Sequence, residues 1–178
     1  MLLIAPGCTS ADIEAQRLAD TVESATQQGV RCRTSISSKP GYRILAAHFP
    51  LVDIEEATLP QMKDESLANR EEDVALAAWQ QDIRLCGNQL VDFARQTTPA
   101  YVPIIIATWN KDDEVFVQLA RRKMAWGDAV MRLKANRTEL LTKVADQLSR
   151  MTRELNERQQ KALDRRASYL DSLLGLVP

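Results

Sequence analysis

An all-α fold, an elongated antiparallel helical bundle with a long C-terminal helix, is predicted by three features of the sequence. The first is composition: Ala, Leu, Arg, Gln and Glu are abundant, with only 6 glycines and 5% aromatics, and straight-chain residues lose little rotamer freedom in a helix. The second is a run from Trp126 to about Leu174 with no proline and with Gly127 as its only early glycine. The third is a series of helix-start signals, at Thr9, Ser38, Asn69 and Thr98, each just ahead of spaced apolar residues. The chain has 178 residues, 45% hydrophobic and 26% charged, enough for one domain with a real core. Its net charge of -1 supplies no field that would hold it on nucleic acid, so none is expected as a partner. No apolar run reaches the roughly 20 residues that span a bilayer. The longest, Ala100 to Trp109, is interrupted by Pro103.

The elements follow in order. Residues 1–8 read as a tail and 9–178 as one helical domain. Thr9 caps a first helix from about Ser10 to Gln28, with Asp12 near its positive end and Ile13, Leu18, Val22 and Ala25 on one side. Gly29 is its expected stop, and Val30 to Ser38 its connection. Ser38 and Pro40 open a short helix that Pro50 closes. The acidic stretch Asp53 to Asp73, broken by Pro60, reads as a solvated connection without the spacing or central glycine of a calcium loop. Asn69, with Glu72 three residues on, starts a helix to about Gln96 whose inner stripe is Val74, Ala77, Ala78, Ile83, Cys86, Leu90 and Phe93. Thr98 and Pro99 start the next, "PAYVPIIIATWNKDDEVFVQLARRK". Its β-branched run leaves a buried strand at Val102 to Thr108 as the alternative. The breadth of that run places the helix at the centre of the bundle.

From Trp126 onward the apolar positions Leu141, Val144, Leu148, Met151 and Leu155 alternate by three and four, the spacing of a coiled-coil seam. A helix of that length is a rod of roughly 70 Å. A compact domain of this size is narrower than that. Part of the rod is therefore expected to pair with the first helix, to project, or to meet another subunit. Trp126, Gly127 and Asp128 form the expected helix junction: either a tight turn with the aromatic ring as anchor and Asp128 at the positive helix end, or a tryptophan packed inside a continuing helix.

Residues able to carry chemistry are few. His48 is the only histidine, and no nucleophile motif accompanies it, so a surface or satisfied helix histidine is expected. No HExxH or CxxC pattern and no glycine-rich phosphate loop is present, so no metal, cofactor or catalytic set is assigned. Glu55, Glu56, Glu71, Glu72 and Asp73 read as solvated surface. Arg121 with Arg122, Arg165 with Arg166, and the patch Arg31, Arg33, Lys39 and Arg43 read as charges paired within or between chains. Phosphate or lipid-headgroup contact is the sharper alternative.

The stretch "LLIAPGC" at Leu2 to Cys8 resembles the lipobox of bacterial lipoproteins, with Gly7 before the cysteine, Ala5 where leucine is usual, and Pro6 in the position between. The resemblance implies lipid attachment at Cys8, a membrane tether and a cell-envelope, periplasmic location. Met1 to Gly7 are then outside the fold. With Cys8 set aside, Cys32 and Cys86 remain as an even pair. A bond between them would close a loop of about 55 residues, worth roughly 4 kcal/mol by chain entropy; two separate thiols are the alternative. The expected function is a non-enzymatic envelope lipoprotein that binds a protein partner or itself through its helical rod. The alternative is a soluble periplasmic protein holding an apolar ligand or client at Tyr101, Val102, Ile105 and Trp109.

Overall fold

The computed structural model describes residues 10–174, with side chains described for 20, 23, 24, 27–154 and 156–166. Every element is helical: α1 (Ser10–Ser37), a 3-10 segment (Pro40–Ala47), a 3-10 turn (Ile54–Glu56), α2 (Leu59–Met62), α3 (Arg70–Thr97), a 3-10 turn (Pro99–Tyr101), α4 (Val102–Ala120) and α5 (Trp126–Leu174). No strand occurs among the described residues, so the Val102 to Thr108 stretch is helix.

Three boundaries differ from the sequence reading. α1 runs through Gly29 to Ser37, so Val30 to Ser37 is helix rather than connection. A helical glycine costs about 1 kcal/mol relative to alanine, and packing outweighs that: Ile36 is buried and Cys32 lies against the core. The segment after Ser38 is 3-10, opened by Pro40 and anchored by fully buried Leu45. Asp53 to Asp73 is not an open connection. Asp53 caps the Ile54–Glu56 turn by accepting from the Glu55 N–H at 3.1 Å, and Thr58 with Gln61 forms a capping box that starts α2. Pro60 falls in the first turn of α2, where its missing N–H has no helical acceptor to lose. Ala68, further along, is buried.

α3 begins as expected, with the Asn69 side chain accepting from Glu71 and Glu72 N–H and the Glu72 carboxylate accepting from Asn69 N–H. α4 ends in a Schellman turn: Arg122 N–H donates to Leu119 O at 2.8 Å and Lys123 N–H to Gln118 O at 2.9 Å. Arg122 takes φ 55 there, a left-handed conformation more often given to glycine. The Arg121–Arg122 pair thus sits in a turn that joins two helices.

The core lies where the C-terminal part of α4 and the first turns of α3 and α5 meet the 3-10 segment. An aromatic chain runs through it. Trp126 stacks on Phe49 at 5.7 Å, Phe49 meets Trp79 edge-on at 5.2 Å, and Trp79 meets Phe116 edge-on at 5.8 Å. Trp126, Leu45, Leu76, Leu119 and Val130 fill its centre. α4 is less central than its composition suggests. Its buried residues are Val115, Phe116 and Leu119 near its end, while Ile106 in the apolar run is 38% exposed, because that run lies at the end of α4 away from the core. The main partner of α1 is α3, and α5 packs chiefly on α4, on α2 and on the 3-10 turn at Ile54–Glu56. The long helix thus takes α4, rather than α1, as its principal neighbour.

Candidate functional site

The best-defined side-chain constellation surrounds the start of α5. Trp126 is fully buried, and its backbone N–H donates to Ser66 O at 3.0 Å. Gly127 N–H donates to Asp64 O at 2.7 Å. A β-carbon on Gly127 would stand 2.7 Å from Met62 O and 2.9 Å from Asp64 N, so only glycine lets the 62–66 strap lie this close. Asp128, exposed, occupies the first turn of α5 and faces its positive end. Trp126 is therefore at once the first residue of α5 and a core residue.

His48 closes this junction from the other side. Its ring stacks on Trp126, centroids 4.6 Å apart. Its Nδ1 lies 2.5 Å from Asp64 Oδ2 and its Nε2 3.1 Å from Glu72 Oε1. The histidine thus ties the 3-10 segment to the strap and to the N-terminus of α3. With a carboxylate on each ring nitrogen, the three groups cannot converge on one cation. The nearby Ser66 hydroxyl donates to Asp64 at 2.5 Å rather than to the imidazole. The arrangement does what a joint requires. A surface or satisfied helix histidine is what the sequence predicts, and His48 is satisfied, at the end of the 3-10 segment; of its two partners only Glu72, through its capping box, was legible as a structured residue.

The joint has a pH consequence. Burial pushes the Asp64 carboxyl up, but hydrogen bonds from Ser66 and His48 outweigh it and hold the group below its ordinary value of 3.8. A carboxyl depressed in the folded state stabilises that state above its unfolded pKa, and the contribution fades as pH falls through the folded one. Wild type is therefore expected to lose thermal stability more steeply below about pH 4 than Asp64→Asn, with the two melting curves converging at lower pH. Burial raises the Asp112 carboxyl, and its protonation acts in the opposite sense in both proteins. Parallel pH profiles for wild type and Asp64→Asn would contradict the assignment.

The cysteine expectation has a direct counterpart: Cys32 and Cys86 are bonded, with Cα atoms 5.8 Å apart, joining α1 to α3. Cys8 lies outside the described residues. Of the four residues expected to form an apolar surface, Tyr101, Val102 and Ile105 are half-buried along the start of α4. Only Trp109 lines a groove, of about 460 Å³ between α3 and α4, beside Ile106, Val91, Asn88, Arg84 and Arg95. The Trp109 ring lies so close over Gly87 that a β-carbon there would meet it at 2.5 Å, and the Arg84 guanidinium sits 5.6 Å above the ring. The groove's cations are matched within the chain: Arg84 pairs with Asp113, and Arg95 with Asp92 at 2.7 Å.

The second feature is the outer part of α5. Its last buried side chain is Leu133. Every described side chain from 148 onward is exposed. On this stretch Leu141 is 51%, Leu148 56% and Met151 37% exposed, and Val144 between them is half-buried. The remaining surface is polar, with Lys143 bound to Glu139 at 2.6 Å and Glu139 also bound by Lys111 of α4 at 2.5 Å. No family model matches the chain, and no curated protein or solved structure matches it either.

Proposed function

We propose that the protein is a non-enzymatic cell-envelope lipoprotein, attached through Cys8, that acts as an interaction or assembly module through its long helix. The observation that carries this reading is the apolar stripe of Leu141, Leu148 and Met151 on a helix that extends well past the core. Large side chains at heptad spacing gain stability when a second helix covers them, about 1.5–3 kcal/mol for each one fully buried, against the entropy lost on association. The partner is a helical protein or a second copy of this chain.

Two further observations support the reading. Cross-helix pairs descend along one helix as they ascend along its neighbour: Gln80 with Asp113 and Gly87 with Trp109 between α3 and α4, Lys111 with Glu139 and Asp112 with Asn136 between α4 and α5. That register supports an elongated antiparallel bundle, with the outer part of α5, about 40 Å from residue 148 on at 1.5 Å per residue, as its projecting arm. The Cys32–Cys86 bond suits an oxidising compartment such as the periplasm. No described helix is long and apolar enough to cross a membrane, which in this reading leaves the tether to a lipid on Cys8.

Leu148→Lys with Met151→Lys is expected to abolish self-association in sedimentation equilibrium, or partner capture from envelope extracts, while the helical circular-dichroism signal stays unchanged. Association and capture both indifferent to the double substitution would sink the interaction reading. The tether is checked by intact mass of the chain recovered from its native cell: an acyl mass on Cys8 is expected, and an unmodified Cys8 rules the tether out. A second reading, a soluble periplasmic protein that holds an apolar ligand or client, is supported by the groove beside Trp109 and Ile106.

A further inference from the structure

Beyond Met151 the seam of α5 changes character. The heptad that puts Leu141 and Leu148 at a positions and Val144 and Met151 at d positions continues with Leu155 and Ala162 at a, and with Arg158 and Arg165 at d. Glu154 and Lys161 hold the g positions that flank it, and Thr152, Gln159 and Arg166 the e positions on its other side. Every described side chain from 148 to 166 is exposed. Arg150 and Arg158 stand one turn from Glu154, and Glu157 one turn from Lys161, yet neither Glu154 nor Lys161 forms an ion pair among the described residues.

The flanking charges discriminate between the ways a second copy of this helix could lie on it. In a parallel pair, a meets a and d meets d across the seam, so Arg158 and Arg165 would each face their own copies and Lys161 would face Arg166 beside them. Every polar layer would then repel. In an antiparallel pair a meets d, and the registers differ by one heptad. With Leu148 opposite Met151, the second arm runs back along residues 133–141, where Leu133 is buried and Glu139 is held by Lys111 of α4. That side is occupied. With Met151 opposite Leu155, Glu154 faces its own copy; with Leu155 opposite Arg165, Lys161 faces its own copy. One register between these two avoids both conflicts. It sets Leu155 opposite Arg158, Met151 opposite Ala162 and Leu148 opposite Arg165, and it brings Glu154 of each chain to Lys161 of the other. The overlap from 148 to 165 is about 27 Å at 1.5 Å per residue, and it lies entirely on the exposed stretch of α5.

We propose that the partner of this arm is a second copy of the chain, paired antiparallel in that register. The inference rests on the reading of α5 as an interaction surface and names what covers it. Leu148, Met151 and Leu155 of each copy are covered by the other, the arginine stems extend the apolar seam while their guanidinium groups reach water, and the two Glu154 to Lys161 contacts fix orientation and register.

The test uses the full chain in low-salt buffer and reads the dimerisation constant by sedimentation equilibrium, with circular dichroism as the check on folding. Wild type is expected to dimerise. Glu154→Lys and Lys161→Glu should each weaken the dimer about tenfold, because two attractions become two repulsions. An equimolar mixture of the two variants should recover wild-type affinity, since in the mixed dimer both flanking contacts are again between opposite charges; the doubly substituted chain should recover it as well. A parallel pair gives the opposite sign: there Lys161→Glu meets Arg166 and tightens the dimer. Tightening by Lys161→Glu, or a dimer indifferent to both single substitutions, overturns the proposal. So does a wild type that stays monomeric. In that last case partner capture that Leu148→Lys with Met151→Lys abolishes keeps the interaction reading and removes only the second copy, whereas capture indifferent to the double substitution removes both.

Discussion

Trp126→Ala is expected to destabilise the protein by about 3–5 kcal/mol, the range for removing a fully buried large aromatic side chain. Trp126 has no exposed surface, stacks on both His48 and Phe49, and begins the helix whose first turns fill the core. Its loss leaves a cavity beside the His48 joint, so the 62–66 strap loses its packing along with the core. For a domain of this size each kcal/mol corresponds to about 2–4 °C in melting temperature, and urea unfolding gives the free energy directly. Trp126→Phe should cost distinctly less. The indole N–H has no hydrogen-bond partner among the described residues, so phenylalanine forfeits volume but leaves no new unpaired group. A Trp126→Ala protein within 1 kcal/mol of wild type would mean that the junction is not the centre of the core.

Removing the Cys32–Cys86 bond is the second large effect. The bond closes a chain separation of 54 residues, for which loop-closure entropy gives about 4 kcal/mol. Cys32→Ser with Cys86→Ser is expected to lower stability by up to that amount, and reduction with dithiothreitol to do the same to wild type. The loss should be uneven. α1 reaches the core through Ile36, with Cys32 packed against its edge, so amide exchange should rise first in α1 and later in α3 to α5. Thiol titration of the denatured, unreduced protein must show neither Cys32 nor Cys86 free. Three titratable thiols would mean that no bond forms.

What was legible in the sequence was local chemistry. The Asn69–Glu72 capping box and the uninterrupted run from Trp126 to Leu174 depend on backbone donors and propensity within a few residues of each other, and both elements begin or end where those signals stand. Thr58 and Gln61 carry the same kind of signal for α2, obscured because Pro60 looks like a breaker until its place in the first turn is known. Gly29 misled in the other direction: its propensity is a small local term, and the packing of Cys32 and Ile36 on distant α3 decides the helix end.

The candidate sites divide along the same line. The stripe Leu141, Leu148, Met151 is a one-dimensional pattern and could be read directly; whether α4 or solvent faces it could not. His48 meets Asp64 and Glu72, 16 and 24 residues away; no spacing rule connects residues so distant. By itself, the sequence determined helical class, the long final helix and the supply of residues for a core, because these follow from side-chain entropy, capping and periodicity. The tertiary structure alone decided that α5 takes α4 as its main neighbour, that Gly127 admits the 62–66 strap, and that His48 joins Asp64 to Glu72, because contacts between distant segments are chosen by the joint packing of all of them.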